Sequence, residues 1–219
     1  MNTDKLKDAE RRFLAQYPGG FSNPHMMEIA KKHRADKMNR MAWDSFSPEM
    51  FDDPNGIVAS IAKIISQSSV ISVFEKPKFR DLVKTMSSSE KVHLSQGLKE
   101  FLHGNQEIGF KLMVELLASY GLAKWTLLTI CPVYYHPQEE AFIKPTTVKS
   151  IINYFELEGL SYSPKPNYEF YTAYKDELIR MKKQVDTSLQ SDNLAFSAFL
   201  MLTAERFNDA GVNTQGFFR

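Results

Sequence analysis

Residues 87–121, SSSEKVHLSQGLKEFLHGNQEIGFKLMVELLASYG, decide the fold class. Ser87 and Glu90 form a Ser-x-x-Glu capping box, in which each side chain can satisfy an amide that the first helical turn leaves orphaned. Behind it Leu94, Leu98, Phe101 and Leu102 recur every three or four residues, which is the period of one helix face. His103-Gly104 should end that helix, with Gly104 supplying a left-handed cap. Asn105 then caps a second helix, whose stripe is Ile108, Leu112 and Leu116 with Met113, Leu117 and Tyr120 beside it, up to Gly121.

The same punctuation continues toward the C-terminus. Leu122 to Ile130 is apolar nearly all round, as a fully buried helix is. Pro132 and Pro137 bound an irregular loop over 131–145, which Lys144-Pro145 closes. Thr146 caps a helix carrying Val148, Ile151, Ile152 and Phe155. Asn167 caps another, with Tyr171, Tyr174, Leu178, Met181 and Val185 on one stripe. Arg180, Lys182 and Lys183 suit the negative end of its dipole. A last helix is expected from about 192 to 206, on Leu194, Ala198, Phe199 and Leu202, with a frayed tail over 211–219.

Toward the N-terminus, Leu6, Ala9, Phe13 and Tyr17 step along one face until Pro18-Gly19-Gly20. Asn23 with Pro24 opens one helix over 25–42. Ser47-Pro48-Glu49 begins a short turn or helix, Asp53-Pro54-Asn55-Gly56 punctuates it, and Ile57, Ile61, Ile64 and Ile65 form the next stripe. Residues 68–74 are β-branched but have no partner run to pair with, so they read as a helix tail or an irregular link. No strand–helix alternation and no fixed repeat appears. The expectation is an all-α single domain over 1–219, an irregular bundle of about eight or nine short helices, with at most a weak subdomain boundary near 86–90.

Composition agrees with a globular chain. Of 219 residues 43% are hydrophobic and 24% charged, and 27 Lys+Arg face 26 Asp+Glu, so no global field favours nucleic acid or anionic lipid. The single Cys131 has no internal partner, which fits a reducing compartment. The first ten residues are charged throughout and resemble no secretory signal. The longest uncharged run, Trp125 to Gln138, has 14 residues and two prolines, too few for a membrane span. A soluble cytoplasmic protein is expected, with no membrane partner.

Constellations that carry chemistry are sparse. Gly104 to Lys111 echoes a phosphate loop, but Phe110 and Leu112 stand where that loop needs Lys and a hydroxyl. The five histidines, at 25, 33, 93, 103 and 136, form no zinc-binding spacing, so no metal and no cofactor is expected. Cys131 and His136 suggest a thiol–imidazole pair, yet Cys131 ends an apolar helix, where cysteine acts as a small hydrophobe. No catalytic residue is assigned.

Three weaker patterns remain. In 25–42, Lys31, Lys32, Arg34, Lys37 and Arg40 oppose only Glu28 and Asp36, while Met26, Met27, Ile29, Met38 and Met41 make a Met-rich apolar side suited to core filling or adaptable binding. Asp44, Glu49, Asp52 and Asp53 follow, and could neutralise that charge. Over 144–175, seven aromatics from Tyr154 to Tyr174 interleave with Lys144, Lys149, Lys165 and Lys175. In the 131–145 loop, Tyr134, Tyr135, His136, Glu139, Glu140 and Lys144 are pocket candidates.

Phe142-Ile143-Lys144-Pro145-Thr146-Thr147, Pro164-Lys165-Pro166-Asn167-Tyr168, Asn193 to Phe199 and Gly121-Leu122-Ala123-Lys124-Trp125 make the last hundred or so residues resemble uncharacterised bacterial all-helical proteins. That resemblance implies a bacterial cytosolic protein and assigns no activity. Three readings follow. The first is a non-catalytic binding or adaptor protein acting through protein contacts, including a homo-oligomer. The second is a nucleic-acid binder using Lys31, Lys32, Arg34, Lys37, Arg40, Lys165, Tyr168 and Lys175. The third is an enzyme whose pocket surrounds the 131–145 loop.

Overall fold

A computed structural model describes the backbone of residues 1–208 and the side chains of residues 1–204, and the tail expected over 211–219 lies outside them. Among the described residues there is no strand, and eleven α-helices make up most of the structure. They are α1 (Thr3–Gln16), α2 (Pro24–His33), α3 (Ala35–Phe46), α4 (Pro54–Gln67), α5 (Glu75–Thr85), α6 (Ser88–His103), α7 (Gln106–Ser119), α8 (Trp125–Tyr135), α9 (Pro145–Tyr154), α10 (Tyr168–Lys182) and α11 (Asn193–Asn208). Short 3-10 turns occupy Gly20–Ser22, Pro48–Asp52 and Thr187–Leu189.

The N-caps expected at Asn23, Ser87, Asn105 and Asn167 form, and Asn2 and Asp53 add two more. Asn2, Asn23, Asp53, Asn105 and Asn167 each accept an amide hydrogen of the turn they open, and Ser87 with Glu90 completes both halves of the capping box. Each such cap contributes about 1 kcal/mol. The α6–α7 hairpin is a close crossing. Gly97 and Gly109 sit at its centre, where a Cβ on Gly109 would lie 2.5 Å from the Gly97 carbonyl oxygen, closer than atoms pack. Helix α8 runs through the middle of the bundle and buries every residue from Trp125 to Tyr134. The apolar core is one continuous cluster, from Leu6 in α1 to Leu200 in α11, with Phe79 and Leu82 on one side of residues 86–90 and Leu94 and Leu98 on the other.

Several expectations need correcting. The 25–42 helix is two: α2 ends at His33, Arg34 turns left-handed (φ 55°), and α3 starts at Ala35. The α5 helix follows an irregular link whose Ser68 is fully buried, and it was hidden by the Lys-Pro-Lys run at its start. Together these raise the helix number above eight or nine. Helix α8 passes through Pro132 and ends only at Tyr135, so the loop spans 136–144 rather than 131–145. The proline has no amide to give, and a burial of the surrounding apolar side chains outweighs the one backbone bond it forfeits. Pro145, not Thr146, starts α9 from its first position, with Lys144 as the capping residue. Gly104 ends α6 at φ −132°, outside the left-handed region. On α7 the buried face is Gly109, Phe110, Met113, Leu116 and Leu117, and Ile108 stays half exposed.

Candidate binding groove

The 136–144 loop closes on a buried polar cluster around Glu140. Glu140, only 4% exposed, accepts from Gln106 Nε2 (2.8 Å), from Lys175 Nζ (3.4 Å) and from the Tyr171 hydroxyl. Gln106 Oε1 accepts from Lys175 Nζ (2.8 Å) and the Tyr168 hydroxyl (3.2 Å). Burial and the adjacent Glu140 charge hold the Tyr171 phenol far above its ordinary range, so it remains a donor. The cluster ties the loop to α7 and α10, with its donors and acceptors matched to one another.

The six loop candidates therefore do not converge. Tyr134 points the other way, toward Ser68 (3.0 Å). Tyr135 packs edge-on against His103 and accepts Trp43 Nε1 at its carbonyl (2.7 Å). His136 lies 3.3 Å from the Leu102 carbonyl, Glu139 is exposed, and Lys144 is half-buried at the start of α9. Of the aromatic–lysine segment, Tyr168 and Lys175 turn into the Glu140 cluster, and Lys165 is exposed in the turn before α10. Cys131 is buried, which raises its thiol well above its ordinary range and keeps it protonated.

An apolar hollow lies elsewhere. A groove of about 480 Å³, open along one side, runs between α2 and α11. Met26, Met27, Ile29 and Ala30 come from α2, and Leu194, Ala195, Ala198 and Leu202 from α11. Phe13 and Phe199 form part of its floor, their rings packed edge to face at 5.1 Å. Helical spacing puts Ala195, Ala198 and Leu202 on one face of α11, and the two alanines leave the room that a larger side chain would fill.

A few polar groups mark the inner end. Tyr134 reaches the groove from α8, bonded to Ser68; burial pushes its phenol up to about 12, so it stays neutral. Asp192 accepts the Ala195 amide (2.7 Å) as a cap of α11. His33 Nδ1 sits 2.8 Å from Ser69 Oγ, and burial, with the Lys32 charge behind it, lowers the imidazole pKa and favours the neutral ring. These groups are already partnered, and none is an ionised nucleophile beside a base. Among the described residues no three His, Cys, Asp or Glu side chains gather as metal ligands.

Outside the groove the surface turns basic. The trough continues through Lys31, Arg34, Asp36 and Lys37 to Arg40, Asp44 and Lys63. None of Lys31, Lys32, Arg34, Lys37 and Arg40 makes an ion pair among the described residues. Of the acids of 44–53, Asp53 caps α4 and Glu49 accepts from Ser47, while Asp44 lines the trough with Arg40 and Lys63 without an ion pair among the described residues. The cations of the patch thus make no ion pair among the described residues.

Sequence reasoning found the Met-rich side of α2, the α11 helix and Tyr134 as a pocket candidate, but it did not bring them together and missed Asp192 and Ser68. The available signal was Ala195 and Ala198 on the stripe of an otherwise large-residue helix. Scans against protein-family models, curated proteins and solved structures find no match to the chain. No helix among the described residues is long and apolar enough to cross a membrane.

Proposed function

We propose that this chain is a non-catalytic binding protein that holds the apolar face of a partner polypeptide in the groove between α2 and α11. The observation that carries the reading is an open apolar channel walled by two helices, one of which, α2, buries only Met26 of its own. A small ligand is normally enclosed over most of its surface, whereas a helix lying in a groove keeps its polar face in water. Methionines at such a surface adapt to different side chains. The floor argues against stacked bases, since the Phe13 ring packs edge-on against both Phe21 and Phe199. The unbridged Cys131 supports a reducing compartment such as the cytoplasm.

Panning a library of helix-forming peptides against the wild-type chain and against Ala198→Trp, which fills the groove, tests the reading. The expected result is enrichment of sequences with apolar residues spaced three and four apart, lost when the groove is filled. No enrichment, or enrichment that Ala198→Trp leaves unchanged, overturns it.

A further inference from the structure

The groove does not end at its apolar walls. Phe21, Met27, Ala30, Ala35 and Asp36 line both the groove and the adjoining basic hollow, so the α2 side of the groove opens onto the cations. That outer trough carries Lys31, Arg34, Lys37, Arg40 and Lys63 against Asp36 and Asp44, and those five cations make no ion pair among the described residues. Unpaired charges at the rim of an apolar site steer a complementary partner and reject a like-charged one. The length also fits. The lined stretch of α11, Leu194 to Leu202, rises about 12 Å, which accommodates anchors at i, i+3 or i+4, and i+7 of a facing helix.

Resting on the binding reading above, we infer that the partner segment is an amphipathic helix with an acidic flank. Its apolar stripe lies against Ala195, Ala198 and Leu202, and its carboxylates lie over Lys31, Arg34 and Lys37. The floor gives it volume to fill, and the rim fixes its identity. Because the rim cations are solvent-exposed, their share of affinity is modest and falls with salt, while the apolar share does not.

Three labelled peptides of about 16 residues, sharing one leucine stripe and differing in whether the outward positions are Glu, Gln or Lys, separate the two shares by fluorescence anisotropy. The Glu peptide should bind about tenfold more tightly than the Gln peptide at low salt, and the gap should close near 0.5 M salt. The Lys peptide should bind weakest. In the variant Lys31→Glu/Arg34→Glu/Lys37→Glu the order should invert, with far-ultraviolet circular dichroism showing the fold retained. Equal binding of the Glu and Gln peptides, or a Glu preference that survives the charge reversal, overturns the acidic flank and leaves the groove reading standing. If no peptide binds, or if all bind Ala198→Trp as well as wild type, the groove reading falls and takes the flank with it. Saturation by dodecanoate or by an oligothymidylate where the peptides fail has the same consequence.

Discussion

The α6–α7 crossing and the α2 helix are opposite ways of placing a helix on this core. At the crossing, glycines let two backbones meet with no room for a Cβ, and both helices bury a broad face. Helix α2 is suspended between two left-handed turns, Gly19-Gly20 before it and Arg34 after it, and leaves a channel where its packing partner would be. The first arrangement maximises dispersion contacts and fixes the scaffold. The second leaves apolar surface unsatisfied, which lowers local stability and keeps that surface for something else. The contrast separates the part of the chain that makes the fold from the part that can answer a partner.

The largest effect should come from the crossing. Gly109→Val pushes a side chain into the α6 backbone near Gly97 and Phe101 and should cost about 3 kcal/mol or more, read as a lower urea midpoint. A midpoint equal to wild type would mean the hairpin is not locked at this point. Next is the polar cluster. Lys175→Met leaves Glu140 buried without its cation and should cost about 3 kcal/mol, with Glu140→Gln in the same chain recovering part of it. Additive losses would show that the two groups are not coupled.

Much of this scaffold was legible in the sequence, because caps and periodicity are local. Asn23, Ser87, Asn105 and Asn167 announced their helices, and the Tyr171–Met181 stripe is buried as its spacing implies. What was not legible depends on contacts distant in sequence. Pro132 reads as a helix stop, but α8 continues through it because the core on all sides holds the following turn. The break at Arg34 has no glycine or proline to reveal it. The groove could not be read at all, since it is the space between helices separated by about 160 residues of chain, and no local pattern encodes a gap.

A smaller effect is expected at alkaline pH, on the inner end of the groove. The Tyr134 phenol titrates at about 12 in the fold against 10 when free, so its contribution is complete below pH 10 and disappears as pH rises toward 12. The loss should approach about 2 kcal/mol, and Tyr134→Phe should flatten that part of the stability–pH curve. An unchanged slope would place the phenol in water. The smallest effects belong to α2: Met27→Ser, at a half-exposed position, should shift stability by less than about 0.5 kcal/mol, and so should Arg34→Gly, which relieves a left-handed non-glycine residue. Losses above about 1 kcal/mol at either position would mean that α2 is part of the scaffold after all.

Native-state hydrogen exchange, with and without the acidic-flank peptide, addresses the division most directly. The α6 and α7 amides should exchange only on global unfolding and ignore the peptide, while the α2 amides should exchange through local opening and slow, together with those of α11, when it is added. Amides of α2 as protected as those of α6 without peptide, or protection by the peptide on any other face, would contradict the assignment of the groove as the binding surface.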